Sequence, residues 1–179
     1  MPQYFETFPK RLYDIDNSGN DKVVTDIFRR LKVREGIKDN LAMFATYDVQ
    51  SGETPESISY KHFGSTDYFW VICLMNDVTD RFYDWPLSDQ AFEEYVKEKY
   101  ANPQAIHHYE KTQSSGATEG NGPADYEHKI EVNSTDADAQ SVSNYEYESR
   151  LQDQKRQIKL LDKAYLNLFV DEFENLVKR

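Results

Sequence analysis

The chain has 179 residues, a length that fits one ordinary domain or a small module with extensions. Only 39% of its residues are hydrophobic, yet 14% are aromatic, and Tyr in particular is enriched at protein–protein contacts. The net charge of −11 argues against a protein that binds a nucleic-acid backbone, because such a protein needs clustered Lys and Arg.

The sequence shows none of the signals expected of a secreted or membrane-spanning protein. The N-terminus lacks the apolar stretch of a signal peptide, and no apolar run approaches the ~18 residues needed to span a membrane. Cys73 is the only cysteine, so no disulfide can form within the chain, and its apolar surroundings predict a buried, inert thiol. We expect a protein that is made in a cytosol and stays there or in something assembled there. The excess of acidic residues lies in residues 43–143, where it serves solubility or meets basic partners.

Residues 1–22 predict an extended arm, because they contain two prolines and a turn-like stretch but no helical or strand period. Disordered segments are usually poor in aromatic residues, so this arm either orders on a partner surface or folds back on its own domain. Residues 23–34 have apolar side chains at helical spacing, although a strand is also compatible with them. The aromatic residues of the arm are Tyr4, Phe5, Phe8 and Tyr13.

Residues 41–76 carry the densest set of signals in the chain. A strand is predicted over 41–49, followed by a tight turn at Gly52. Thr54 and Pro55 are typical of the start of a helix, and Gly64 is typical of its end. The second helix, capped by Ser65 or Thr66, is apolar nearly all round, so it is expected to form the core of the module.

The following segment predicts one helix and one hairpin. Ser88 or Asp89 begins a helix with an apolar face, which stops at residues 102–103, and Trp85 and Leu87 are expected to pack back on the earlier helices. Residues 104–110 and 126–132 alternate as strands do, around a loop rich in Gly, Ser and Pro, which predicts a β-hairpin with a long tip.

The C-terminal segment, residues 144–179, contains neither Gly nor Pro and predicts one continuous helix. At ~1.5 Å per residue it would be on the order of 50 Å long, more than a small module can cover. We therefore expect its apolar stripe to need a partner helix, and the isolated chain to be only partly ordered beyond residue 140. The stripe includes Leu151, Ile158, Leu161, Tyr165, Leu168 and Leu176.

No catalytic, cofactor or metal site is predicted. His107 and His108 are neighbours on a predicted strand and face opposite sides, so only one of them could join His128, and no third ligand is marked. Residues 14–21 lack the Gly and the bidentate Glu of a calcium loop. Phosphate-binding glycine loops and nucleophile motifs are missing as well, which favours a structural or binding protein over an enzyme.

The stretch from residue 47 to residue 76 resembles a LysM domain, a small βααβ module. The family pattern combines an aromatic–x–Val strand, a Gly–acid–Thr turn, an Ile in the first helix, an aromatic–Gly break, a Trp and a closing Asn. Pro55 stands where LysM domains usually have Leu, a departure from the sugar-binding members. The matching residues are Tyr47, Val49, Gly52, Thr54, Ile58, Gly64, Trp70 and Asn76, with Trp70 expected in the core.

Together with its flanks, this stretch makes the chain resemble the small LysM-containing baseplate wedge protein of contractile-tailed (myovirus) phages. The flanking motifs are residues 25–30, 83–88, 99–100 and 156–159. The resemblance implies a virion protein of the tail baseplate, assembled in the host cytoplasm, that joins neighbouring wedges around the hub without catalysis. It implies contacts with other wedge proteins, with hub or sheath-initiating subunits as further candidates, and none with nucleic acid, membrane or a small-molecule substrate. The alternative is a LysM-type peptidoglycan-binding protein.

The predicted fold class is therefore α+β: a LysM-like βααβ module with an N-terminal arm, a hairpin insert and a long C-terminal helix. The predicted division is an arm over 1–40, the module and the following helix over 41–100, the insert over 101–143 and the terminal helix over 144–179. The candidate contact residues are Tyr4, Phe5, Phe8, Phe28, Tyr83, Trp85, Ile158, Leu161, Tyr165 and Leu168.

Overall fold

The computed structural model describes residues 4–33, 38, 42–112 and 129–178. The chain forms two compact units, unit 1 from Met1–Pro86 with Lys155–Arg179 and unit 2 from Leu87–Gln154. Helices and strands occur in both, which confirms the α+β class. In the described part of the chain, no helix has both the length and the apolar character required to cross a membrane.

Unit 1 begins with a short 3-10 helix, Tyr4–Thr7, and two antiparallel strands, β1 (Lys10–Tyr13) and β2 (Lys22–Thr25). Phe8 is buried in the core of unit 1, so the arm folds back on its own domain, one of the two alternatives that the sequence left open. The helical spacing within residues 23–34 was misleading. Lys22–Thr25 is a strand instead, because β1 supplies a pairing partner and its Val and Thr side chains favour extended backbone.

The next elements follow the local signals closely. Strand β3 is Phe44–Asp48, helix α1 is Pro55–Phe63, and helix α2 is Phe69–Met75 after a 3-10 turn at Thr66–Tyr68. The Thr54 hydroxyl accepts a hydrogen bond from the Ser57 amide, and Gly64 ends α1 at φ 86°, a backbone angle that favours glycine. A single turn of helix, α3 (Arg81–Asp84), follows.

Unit 2 contains helix α4 (Asp89–Lys99), the strands β4 (Ile106–Thr112), β5 (Lys129–Val132) and β6 (Gln140–Ser143), and most of helix α5 (Asn144–Arg156). The strands form an antiparallel sheet in the order β5–β4–β6. Pairing of β4 with β5 confirms that the two predicted strands pair, while the predicted tip lies outside the described residues. Strand β6 lies within the predicted insert, residues 101–143, after the two predicted hairpin strands.

The C-terminal segment is not one helix, and that prediction was wrong. After α5 the chain forms strand β7 (Gln157–Leu161), a 3-10 turn at Lys163–Tyr165 and helix α6 (Leu166–Lys178). Strand β7 pairs antiparallel with β3, which places Ile158, Leu160 and Leu161 in the core. Ile158 and Leu161 of the apolar stripe are therefore covered within unit 1, whereas Leu168 and Leu176 are exposed.

The core of unit 1 is assembled from segments far apart in the sequence. Strands β3 and β7 and helices α1 and α2 together form a strand–helix–helix–strand arrangement, and its second strand comes from the C-terminal region. Cys73 is half-buried, and burial raises the pKa of its thiol to about 11, so the thiol stays protonated at neutral pH. The buried side chains include Phe8, Val49, Ile58, Phe63, Trp70, Val71, Ile72, Met75, Trp85, Phe173 and Val177.

Candidate interaction surfaces

The predicted contact residues divide into exposed and buried groups. The exposed ones are Phe5, Phe28, Tyr83 and Leu168, and Tyr4 and Tyr165 are half-buried. The other four side chains lie in the core of unit 1, where a partner cannot reach them: Phe8, Trp85, Ile158 and Leu161. Surface contacts therefore depend on the exposed group and on residues that the sequence did not single out.

Two exposed aromatic side chains lie on a turn whose backbone is fixed by hydrogen bonds. Phe82 and Tyr83 lie on the single helical turn α3, and their side chains are 83% and 75% exposed. The Asp84 carboxylate accepts hydrogen bonds from the Thr79 amide at 2.8 Å and the Asp80 amide at 2.8 Å, and these donors lower its pKa. We call residues 79–84 the Phe82 turn. Sequence reasoning missed Phe82, although a neighbouring aromatic pair between two Asp residues could have indicated a capped turn.

Two further contacts tie the Phe82 turn to the rest of unit 1. The Arg81 guanidinium lies 2.9 Å from the Glu56 carboxylate of α1. The Lys155 ammonium donates a hydrogen bond to the Tyr83 carbonyl. The backbone beneath the aromatic pair is therefore fixed, while both rings face solvent.

Phe28 is a second exposed aromatic on an anchored segment, 95% exposed. The buried Asp26 carboxylate accepts a hydrogen bond from the Phe28 amide at 3.3 Å and forms an ion pair with Arg11 at 2.9 Å. The Arg29 guanidinium donates to the Val177 carbonyl at 2.7 Å. These contacts hold the backbone on both sides of Phe28, so the ring projects from a fixed position.

The turn between β3 and α1 uses its polar groups internally. The Tyr47 hydroxyl donates to the Glu53 carboxylate at 2.9 Å, and the Gln50 amide donates to the same carboxylate at 2.9 Å. Lys61 forms an ion pair with Glu53, and the Trp85 indole donates to the Glu53 carbonyl at 2.8 Å. Burial and the hydrogen bond to Glu53 raise the pKa of Tyr47. The Tyr47 hydroxyl and the Glu53 carboxylate, two polar groups of this turn, are therefore bound to each other and to other groups of unit 1.

Asn76 binds the backbone of β7 along the edge that faces away from β3. Its side-chain nitrogen donates to the Lys159 carbonyl at 2.9 Å, and its oxygen accepts from the Lys159 amide at 2.8 Å. His62 contacts the Leu161 carbonyl at 2.8 Å. Side chains thus take the place of a neighbouring strand, which closes an edge that could otherwise pair with another chain.

Replacing Asn76 with alanine is expected to lower the free energy of unfolding by about 2 kcal/mol, because it leaves both Lys159 backbone groups without their partner. Urea unfolding of the purified chain measures the change. The exposed Asn102, whose side chain accepts a local hydrogen bond from the Gln104 amide, supplies the control substitution Asn102→Ala. Equal effects of the two substitutions would contradict a role for Asn76 in holding β7.

Buried carboxylates in unit 2 are matched by cations. Glu110 of β4 accepts hydrogen bonds from Arg150 of α5 at 2.7 and 2.9 Å and from Lys129 of β5 at 2.6 Å, and these cations hold its pKa at about 2. Glu148 accepts hydrogen bonds from Lys99 and Tyr100. In the described ranges, no group of three or more His, Cys, Asp or Glu side chains is placed to hold a metal ion.

Comparison with known proteins identifies the family. The family model for base plate wedge protein 53 matches residues 5–116. The chain belongs to this family. A related baseplate wedge protein, gp53 of Enterobacteria phage T4, is 25% identical over 168 residues, which cover 87% of this chain and 85% of the relative.

Membership makes the chain a structural component of the baseplate wedge in a contractile phage tail, as the resemblance of the flanking motifs implied. The exposed aromatic residues are thus surfaces of a wedge protein, a class that works by contacts with other baseplate components. The peptidoglycan-binding alternative receives no support from either comparison. The resemblance of the wedge protein's βααβ arrangement to a LysM domain stays a prediction.

Proposed function

We propose that this wedge protein joins neighbouring wedges around the central hub as the baseplate closes, and that it does so by protein contacts without catalysis. Its partners would be other wedge proteins, with hub or sheath-initiating subunits as further candidates. Family membership supports the setting. The contact surfaces of unit 1 support the joining role.

The observation that carries the proposal is the exposure of aromatic rings on fixed backbone. A free protein gains nothing by holding Phe82 and Tyr83 in water, because burying such rings is favourable by about 2 kcal/mol each. Aromatic anchors dominate the binding energy of many interfaces. Since the Phe82 turn is already ordered by Asp80 and Asp84, a partner that covers it loses little entropy in ordering it.

A connector also needs a second surface. Phe28 lies on a different element of unit 1, held by Asp26 and by Arg29 on the Val177 carbonyl. Two separately anchored aromatic surfaces suit a protein that binds two neighbours at once, and simultaneous binding raises the overall affinity through the effective concentration of the second site.

The test supplies the double variant Phe82→Ser/Tyr83→Ser to a phage that lacks its own copy of the gene. Losing two aromatic anchors is expected to reduce infectious yield about 100-fold and to leave wedges that do not join, because each anchor contributes about 1.4 kcal/mol or more. Gradient sedimentation and electron microscopy of the lysate count free wedges and closed baseplates. Tyr60→Ser removes an exposed aromatic from α1 and serves as the matched control.

Closed baseplates at the normal yield with the double variant would contradict the joining role of the Phe82 turn. Thermal unfolding of the purified variant shows whether the chain keeps its fold, since both rings are exposed and their removal should leave stability nearly unchanged. If the double variant lost both yield and fold, Phe28→Ser, which alters the second surface, would decide: normal yield with that variant would contradict the two-surface connector.

A further inference from the structure

The antiparallel ribbon of β1 and β2 is a two-stranded sheet that stands apart from the other sheets of the chain. Every residue of β1 is exposed, and Val23 of β2 is 67% exposed, opposite Leu12, which is also 67% exposed. Two-stranded ribbons alone are marginally stable in water. An ordered ribbon with both apolar partners of a cross-strand pair in solvent therefore indicates a surface that acquires a neighbour.

Both ends of the ribbon are fixed within the chain. At its tip, the Asp14 carboxylate accepts hydrogen bonds from the amides of Ser18 at 3.1 Å and Gly19 at 2.7 Å, which lower its pKa and close the turn. At its base, the Asp26 amide donates to the Pro9 carbonyl at 2.9 Å, and Asp26 pairs with Arg11. A strand that docks on this ribbon would not have to order it first.

The register shows which backbone groups point outward. The Asp26 amide donates to the Pro9 carbonyl, so these two residues form a hydrogen-bonded pair. Hydrogen-bonded and non-hydrogen-bonded pairs alternate along an antiparallel ladder, so Lys10–Thr25 and Leu12–Val23 are non-hydrogen-bonded pairs. The amide and carbonyl groups of Lys10 and Leu12 therefore point away from β2, along the free edge of β1. The amide and carbonyl groups of Val23 and Thr25 point away from β1, along the free edge of β2. Within the described residues, no backbone hydrogen bond satisfies any of these outward groups.

The two edges differ in exposure and charge. Val24 and Thr25 of β2 are half-buried, whereas β1 is exposed along its whole length. The two strands contain three basic residues and no acidic one, although the chain as a whole has a charge of −11. Lys10 and Arg11 both lie on β1, and Arg11 already pairs with Asp26, so Lys10 is the cation that β1 offers to a partner. The open edge thus favours a strand that places a carboxylate beside Lys10.

We propose that the edge of β1 accepts an extended, acidic segment of another baseplate subunit as a third strand. This inference rests on the proposed joining function and names the chemistry of one contact. The added strand would pair with the outward groups of Lys10 and Leu12, place an apolar side chain beside Leu12 and present a carboxylate to Lys10.

A proline scan of the two edges tests the proposal in the full chain, supplied to a phage that lacks its own copy. Leu12→Pro removes an outward amide and so blocks a third strand, while it removes no hydrogen bond from the ribbon itself. Val23→Pro does the same on the opposite edge and is the matched control. We expect about tenfold fewer infectious particles with Leu12→Pro than with Val23→Pro, and near-normal yield with Leu12→Thr, which keeps the amide. Equal yields for the two proline variants would overturn the proposal.

Cryo-electron microscopy of unmodified tails gives a result that does not depend on the folding of variants. The expected result is a strand about 4.8 Å from β1, contributed by another kind of subunit, with an Asp or Glu beside Lys10. A bare β1 edge, a strand along β2, a helix, or a strand from a second copy of this chain would each overturn the proposal. The position of the chain in the same map tests the joining function separately: a site away from the junction of two wedges refutes that function, whatever lies on β1.

Discussion

Replacing Trp70 with alanine is expected to lower the free energy of unfolding of unit 1 by about 4 kcal/mol. The indole is 6% exposed and lies where three parts of unit 1 meet. Its ring centroid is 4.5 Å from that of Phe173 in α6 and 5.6 Å from that of Tyr4 in the N-terminal 3-10 helix. The substitution removes apolar contacts with both segments and leaves a cavity that neither of them can fill without moving.

The effect should extend beyond helix α2, which carries Trp70. Tyr4 also contacts Phe8 and Phe173, so the arm and α6 share one aromatic cluster whose centre is the indole. Hydrogen exchange of the variant is expected to show lower protection in residues 4–8 and 166–177 together with 69–75. If protection fell only in α2, the arm and α6 would owe their order to other contacts, and the cluster would not be the centre of unit 1.

Trp70→Phe separates the loss of packing from the loss of a polar group. In the described part of the chain, the Trp70 indole nitrogen has no hydrogen-bond partner. Phenylalanine therefore removes no hydrogen bond, and it keeps an aromatic ring against Phe173. We expect a cost of about 1–2 kcal/mol, well below that of alanine. If both variants lowered the free energy of unfolding equally, the particular shape of the indole ring, and not only the volume that it fills, would account for its contribution.

Sequence reasoning succeeded where a structure is decided by a few neighbouring residues. Thr54, Pro55 and Gly64 mark the ends of α1 because their side chains and backbone angles act within one turn. Ser88 marks the start of α4 for the same reason, since its hydroxyl accepts from the Ala91 amide. The sequence does not indicate that both rings of the Phe82 turn are exposed, because exposure is a property of the packed molecule. It predicts Tyr83 as a contact residue but not its neighbour Phe82.

The C-terminal strand could not be found in this way. Residues 157–161 have apolar side chains that fit a helix stripe as well as a strand, and neither Gly nor Pro interrupts them. Pairing with β3, more than a hundred residues earlier in the chain, decides the conformation, and such distant pairing overrides local preference. One local signal did exist: Asp162 accepts a hydrogen bond from the Ala164 amide, which marks the start of a new helical segment after β7.

Three of the candidate contact residues are buried because of contacts with distant parts of the chain. Ile158 and Leu161 are predicted contacts because they lie on the apolar stripe of the predicted C-terminal helix, yet both are buried in β7. Trp85, also a predicted contact, is buried with its indole donating to the Glu53 carbonyl. Size and apolarity indicate burial in some interface, but they do not distinguish the core of a chain from a contact with another. For Ile158 and Leu161, the pairing of β3 with β7 makes that distinction.

Replacing Glu110 with alanine is expected to destabilise unit 2 by about 3 kcal/mol at neutral pH, because Arg150 and Lys129 lose the carboxylate that both of them bind. We place the cost at the low end for a buried ion pair because Arg150 and Lys129 are themselves 36% and 44% exposed, so water screens the charges left behind. Urea unfolding, monitored by hydrogen exchange of the amides in residues 106–112 and 140–154, measures the change in the stability of unit 2. Glu131, exposed on β5 directly opposite Glu110, provides the control Glu131→Ala.

The pH dependence identifies the charge as the cause. The folded-state pKa of Glu110 is about 2, well below the ordinary value near 4.3, so the ionised form favours folding. This contribution is complete above the ordinary pKa and disappears as the pH falls towards 2. The stability difference between the unmodified chain and Glu110→Gln should therefore be largest at pH 6 and should fall by about half near pH 3. A difference that stayed constant over this range would mean that glutamine disturbs packing, and that the sheet and α5 are held together by shape and not by the carboxylate.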